Sequence, residues 1–367
     1  MKHILLLLFV VTAKVTCAQD TLRLSLLFTG DIMQHETQIN SAYDQATGRY
    51  NYFPVFQYIK PVLSSADLTI GNLEFTLGGK PYKGYPQFSA PDEILEAIKD
   101  AGFDALVTAN NHSVDRFRKG LERTIDQLDS AGIPHTGTFK DTTDWLNDYP
   151  MLIEVKGFRL SLLNYTYGTN GIRVSKPNIV NLIDTAQIHR DLNKARQQQT
   201  DAIIVFLHWG LEYQPLPSPE QKRVAEFCFR HGAKLVIGSH PHVLQPMEWR
   251  KEQDQFLVYS LGNFVSAQWE RYRNGGAMAH INLEKVKRPD GTAFVHITDA
   301  RYSLEWVYRE PSQGRRYFVV PVGAYENDPA IPAPGYSKQL FQQFIQDSRA
   351  HYGKYNVNVP EWILTRP

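Results

Sequence analysis

The stretch Val107-Thr108-Ala109-Asn110-Asn111-His112-Ser113-Val114-Asp115 restricts the folds open to this chain more than any other. The apolar run Ala105-Leu106-Val107 feeds straight into two amides and an imidazole. Leu121, Thr124, Ile125 and Leu128 then follow at helical spacing. Strand, polar turn and helix in that order is the unit of α/β folds, whose ligands collect at the carboxyl ends of strands. An Asn carbonyl oxygen is a neutral metal ligand, and a neighbouring His can serve as a second ligand or as a general acid. A plainer reading has Asn110 and Asn111 turning the chain and His112 capping the helix. What the rest of the chain does decides between the two.

The rest of the chain alternates. Leu22 to Thr29 reads as a buried strand ending in Gly30-Asp31, and Leu68-Thr69-Ile70 as a short strand ending in Gly71-Asn72-Leu73-Glu74. Between them, Phe53 to Leu63 reads as one helix, with apolar positions at Phe53, Phe56, Ile59 and Leu63. Pro91-Asp92-Glu93 opens a helix closed by Gly102, the helix after His112 runs to Ala131, and a short strand is expected at Ile133. Leu152 to Thr166 reads as a hairpin turning at Lys156-Gly157. Asp184 caps a helix running to about Gln198, Ala202 to Leu207 is a strand ending in His208-Trp209-Gly210, and Pro219 starts a helix closed by Gly232. Leu235-Val236-Ile237 ends in Gly238-Ser239-His240-Pro241-His242. Beyond Gln255 the segments are strand-like (256–259, 277–283, 293–298 and 317–322) until a last helix over Ser337 to His351. This order predicts an α/β fold, one domain with two sheets.

At the amino end, Met1-Lys2-His3 is basic, Ile4 to Val11 is almost wholly apolar, and Thr16-Cys17-Ala18 places small residues before Gln19. That is the pattern of a secretory signal peptide over residues 1–18, cleaved after Ala18. Lys14 stands where lipid-attachment signals are apolar, which argues against a lipid anchor on Cys17. The expected location is therefore exported, periplasmic or cell-surface. The 39 basic residues nearly balance the 38 acidic ones, which argues against a nucleic-acid partner. After signal removal Cys228 is alone and cannot form an intrachain disulfide, so its place in an apolar helical pattern reads as core.

Asp31, Glu74, Asn111, His208, His240 and His242 all fall at the ends of apolar strands. Parallel strands present their carboxyl ends on one edge of a sheet, so six such residues are expected together there. Two acids, one amide and three imidazoles suit Zn, Mn or Fe rather than copper–thiolate chemistry. The set is large enough for two divalent ions sharing a bridging carboxylate, an arrangement that activates water and clamps phosphate. Taken singly, Gly30-Asp31 also reads as a turn, Asn72-Leu73-Glu74 as a polar strand end and His208 as a core histidine. His240-Pro241-His242, with two imidazoles on an extended turn, has no comparable structural reading.

These pieces resemble the capsule (poly-γ-glutamate) synthesis proteins of the CapA/PgsA type, a branch of the calcineurin-like metallophosphoesterase superfamily. The matching motifs are Phe28-Thr29-Gly30-Asp31-Ile32-Met33, Gly71-Asn72-Leu73-Glu74, Thr108-Ala109-Asn110-Asn111-His112-Ser113, the 164–171 segment, His208-Trp209-Gly210-Leu211-Glu212-Tyr213, Ile237-Gly238-Ser239-His240-Pro241-His242 and Tyr259-Ser260-Leu261-Gly262-Asn263-Phe264. They run in the family's order over residues 24 to 270. The resemblance implies a four-layer α/β/β/α sandwich over 19–330, with a C-terminal helix and tail over 331–367. It implies Asp31 and His242 on a first metal, Glu74 as the bridging acid, and Asn111, His208 and His240 on a second metal. His112 takes the place of the general acid. Glu212 is expected to orient the His208 ring, and Asn263 and Tyr167 to touch substrate. Two positions depart from the wider superfamily: Met33 stands where a ligand His is usual, with His35 or water as the substitute, and Glu74 stands where Asp is usual. Two readings of function follow. One is an exported metal-dependent hydrolase of phosphoester type, acting in poly-γ-glutamate or cell-envelope polymer biosynthesis alongside membrane synthase components. The other is a non-catalytic factor that binds and assembles capsular polymer in the same cleft.

Overall fold

The computed structural model describes residues 21–288, 292–310, 316–329, 331–332 and 335–365. The expected signal peptide over 1–18, with Cys17 and the expected cleavage site at Ala18, lies outside the described residues. Two large sheets form the centre. In the first, the strands Thr21–Ile32, Leu68–Leu73, Ala105–Val107 and His135–Thr136 run parallel in that order. Gly275–Lys287 adds antiparallel to Thr21–Ile32, followed outward by Ala293–Arg309 and Tyr317–Pro321, and the short strand Asn263–Val265 also pairs with Thr21–Ile32. In the second sheet, Phe158–Thr166, Ala202–His208, Leu235–Ser239 and Gln255–Leu261 run parallel, flanked by antiparallel edge strands Met151–Val155 and Leu244–Arg250.

Side-chain alternation explains how these sheets stack. Successive residues of a strand point to opposite faces, so a strand whose residues are all apolar must be covered on both. Leu24, Leu26 and Phe28 pack with Leu160, Leu162, Ile204, Phe206 and Ile237 into one core between the two sheets. Leu27, Leu73 and Leu106 face outward, against residues of the helix Glu93–Ala101. On the far side, Ile203, Val205 and Leu207 pack against the helices Thr185–Gln197 and Pro219–Arg230, where Cys228 is buried as expected. Helix, sheet, sheet, helix is the four-layer α/β/β/α sandwich. The helix Tyr336–Tyr355 sends Phe341, Phe344, Ile345 and Tyr352 into the inter-sheet core. Among the described residues, no helix is long and apolar enough to cross a membrane.

Three segments differ from the sequence reading. Phe53 to Leu63 is not one helix but two single turns, Phe53–Phe56 and Lys60–Leu63, because Pro61 lacks the N–H that would continue the first and its ring crowds the preceding turn. The strand Leu244–Arg250 has no counterpart in the sequence reading; its Pro246 is tolerated because this strand lies on the sheet edge. The short strand near Ile133 forms at His135–Thr136 instead.

Candidate metal centre

The six ligand-type residues do gather, but at the facing carboxyl ends of two sheets rather than along the edge of one. The first sheet supplies Asp31, Glu74 and Asn111, and the second supplies His208, His240 and His242. All six are buried. Close approach of the chains is possible because residue 30 is glycine: a Cβ there would stand 2.0 Å from the Gly262 carbonyl oxygen. Asn164, on the second sheet, ties the two together, accepting from the Ala109 N–H (2.6 Å) and donating to the Phe206 carbonyl (3.1 Å).

Two ligand groups emerge, Asp31–Glu74–His208 and Glu74–His240–His242, each with candidate ligand atoms within 4.8 Å of one another. Glu74 belongs to both. Its Oε1 lies 3.5 Å from His208 Nε2 and 3.7 Å from His242 Nε2. Neither Glu74 oxygen has a hydrogen-bond partner, although both are buried, and the same is true of His240 Nδ1. A buried carboxylate normally has its lone pairs satisfied. An acid left bare between imidazoles is what a cation would complete, so the donor set passes a direct test of fit for divalent metal. His240 and His242 have positive φ, 98° and 57°, a conformation uncommon for side-chain-bearing residues and often found at functional sites.

Neighbours hold these groups in place. Asn72 Nδ2 donates to Asp31 Oδ1 (2.8 Å), and the His240 N–H reaches Asp31 Oδ2 (3.3 Å). His242 Nδ1 lies 3.0 Å from Asn263 Oδ1 and 3.1 Å from Asp31 Oδ2, so an N–H there points its Nε2 lone pair at Glu74. His208 Nδ1 lies 3.0 Å from Ser239 Oγ, and its Nε2 lies 2.8 Å from Asn111 Oδ1. Asn110 does not face the centre: its amide donates to the Leu73 carbonyl (2.8 Å) and its oxygen accepts the His112 N–H (3.0 Å). His112 is buried edge-on to Phe88, with Nδ1 2.7 Å from Asp115 Oδ2.

The electrostatics follow from burial. Burial, and then the charge of Asp31, push Glu74 well above the usual carboxylate range. Burial acts in the same sense on Asp31, but the His242 contact and the Asn72 amide outweigh it and hold its pKa down. Burial and the neighbouring imidazoles depress His208 well below its ordinary value and bring His240 to about 3, so both rings are neutral, as ligands must be. Burial raises Asp115, against the pull of His112.

The remaining candidates are spread more widely. Asn263 is buried beside His242. Tyr167 is half exposed and its ring lies 4.6 Å from that of His240. Glu212 is exposed in a turn, and no hydrogen bond joins it to His208, whose ring is held by Ser239 instead. Met33 is packed in the outer core, and His35 Nδ1 lies 3.2 Å from Gln38 Oε1 at the start of the Glu36–Ala42 helix. Sequence reasoning did not assign Asn72, Ser239 or Asp115. The available signal for Asp115 was its position three residues after His112, within one turn of the chain.

Residues 25–268 match the family model described as "Bacterial capsule synthesis protein PGA_cap". The chain is 31% identical over 289 residues to "Capsule biosynthesis protein CapA" of Bacillus anthracis, covering 75% of this chain and 66% of that one. It is 28% identical over 295 residues to "PGA biosynthesis protein CapA" of Bacillus subtilis (strain 168), covering 78% and 73%. It thus spans just under two thirds of the length of the first relative. Among solved structures, the calcineurin-like phosphoesterase YfkN from Bacillus subtilis aligns with a TM-score of 0.45 at 15% identity, over 90% of this chain and 98% of that one.

Proposed function

The chain belongs to the bacterial capsule synthesis protein family, and from that premise we propose that it is an exported, metal-dependent hydrolase of phosphoester type serving capsular or cell-envelope polymer synthesis, with poly-γ-glutamate as the polymer. The observation that carries the reading is Glu74, a fully buried carboxylate with both oxygens bare, common to two groups of candidate ligands. Asp31, Glu74, Asn111, His208, His240 and His242 would together hold the ions, with Glu74 common to both ligand groups and Mn, Fe or Zn suited to such an oxygen and nitrogen set. Two bound ions supply the positive charge that acidifies water and steadies phosphate oxygens.

This chain's own residues do the rest. Asp115 fixes the His112 ring through Nδ1, which leaves Nε2 to carry a proton to the departing oxygen. Phe88 packs edge-on against that ring and, with the burial of both His112 and Asp115, keeps bulk water from competing for the proton. Asn72 and Asn263 hold the Asp31 carboxylate and the His242 imidazole in the orientations that metal binding requires. Membrane synthase components and the polymer itself are the partners this role calls for.

The test is a panel of phosphomonoesters and phosphodiesters offered to the purified mature protein loaded with Mn²⁺. The expected result is turnover by wild type that falls at least about 100-fold in His112→Ala, with metal content unchanged. Equal background activity in both proteins removes the hydrolase reading and leaves polymer binding in the same cleft.

A further inference from the structure

A cavity of about 440 Å³ lies beside the metal centre, between the Tyr336–Tyr355 helix and the segments around Tyr213, Val243 and Trp269. Its walls include Leu216, Val243, Leu244, Leu340, Phe344 and Trp269. Val243 and Leu244 directly follow His242, so one wall of the cavity and one edge of the centre share a backbone. Tyr213 divides the two spaces: it lines the cavity, its ring lies 6.1 Å from that of His242, and its N–H donates to the Pro241 carbonyl (2.8 Å). The Arg273 guanidinium lies 3.5 Å from the Tyr213 ring centroid and is also paired with Glu270, at 3.5 Å. Asn263, which meets His242 Nδ1, also donates to the Arg273 carbonyl (2.8 Å), so the cation is tied to the same support as the ligand.

The charges on the cavity wall are already matched. Arg271 makes two bonds to Asp347, both 2.7 Å. A length of acidic polymer laid in this cavity would find that cation engaged. An apolar or aromatic body would find a matching surface, of a size typical for small-molecule sites.

We propose that this cavity receives the organic part of the substrate, and that the substrate is a phosphoester whose organic part is aromatic or apolar. This rests on the phosphoester reading above and narrows it. Arg273 covers one face of Tyr213 and Arg309 one face of Trp269, so a planar group would stack on the opposite faces, and the metal centre selects for negative charge at one end of the molecule.

Binding of non-hydrolysable probes to the Mn²⁺-loaded protein, followed by calorimetry, tests the assignment. Wild type is expected to bind 1-naphthylphosphonate at least about ten-fold more tightly than methylphosphonate. Gln343→Trp, on the exposed side of the cavity wall, fills the space and removes that preference while leaving methylphosphonate affinity and metal content as in wild type. Equal affinity of wild type for the two probes, an unchanged preference in Gln343→Trp, or naphthylphosphonate binding that persists equally after chelation overturns the inference. Metal-dependent, naphthyl-selective binding by a protein that turns over no phosphoester supports the cavity assignment and faults the catalytic reading alone.

Discussion

Replacing Glu74 by Gln should stabilise the metal-free protein while abolishing its response to metal. The Glu74 carboxylate is fully buried, its oxygens have no hydrogen-bond partner, and Asp31 adds a like charge beside it. Stranding a buried charge in this way costs about several kcal/mol. The amide of Gln has nearly the same shape and no charge, and its N–H groups can donate to Asp31. A gain of about 1–3 kcal/mol in the metal-free state follows, or roughly 1–2 °C in Tm per kcal/mol for a chain of this length. The sign with pH is fixed by the direction of the shift. The folded-state pKa of Glu74 is raised above its ordinary 4.5, so the wild-type penalty is absent below pH 4.5 and grows as pH rises towards the folded value. The advantage of the Gln variant should therefore be clear at pH 7 and vanish near pH 4. Metal at a hundred-fold excess over its Kd should stabilise wild type by about 2.7 kcal/mol and leave the variant unmoved. Thermal melts in chelator and in Mn²⁺, at both pH values, read all of this. A metal-free Glu74→Gln protein less stable than wild type at pH 7 would show that fixed protein groups, not an ion, complete this carboxylate.

Other substitutions probe separate parts of the account. Asp115→Asn removes the carboxylate that fixes the His112 ring, and steady-state kinetics should show kcat lowered about 100-fold at unchanged metal content; loss of metal as well would place Asp115 in the ligand set. Gly30→Ala puts a methyl group 2.0 Å from the Gly262 carbonyl, so urea unfolding should show a loss of about 1–3 kcal/mol together with weaker metal binding. His280, away from the centre, is partly buried, and desolvation there depresses its pKa from 6.5 to about 3; the stability it contributes is present above pH 6.5 and lost as pH falls towards 3. His280→Gln should flatten that acid limb in urea midpoints measured between pH 7 and pH 4, and an unaltered limb would assign it to other groups.

The candidate centre was legible in the sequence because its parts sit within a few residues of apolar strands. A parallel strand buried on both faces announces itself by composition, and chain direction then tells which end carries the polar residue. Asp31, Glu74, His208 and His240 were locatable for that reason, and Asn111 because its strand runs through a polar turn into a helix. What composition does not encode is which sheet a strand joins, so a single edge was expected where two sheets face each other. Glu212 stands four residues beyond His208, the spacing of one helical turn, but Gly210 takes a φ of 90° and turns the chain away before any helix forms. The sequence gives Asn72 no role, because only the folded register puts it opposite Asp31. The Leu244–Arg250 strand was hidden by Pro246, whose acceptability depends on an edge position that local sequence does not reveal.

The central claim is that Glu74 joins two divalent ions held between the facing sheets, and anomalous diffraction from crystals of the Mn²⁺-loaded protein tests it most directly. The account predicts two peaks roughly 3.5–4 Å apart, flanking Glu74 and within bonding distance of side chains from both sheets, Asp31 and Asn111 from one and His208, His240 and His242 from the other. A centre with no anomalous peak, with Glu74 instead hydrogen-bonded to protein groups, would contradict it.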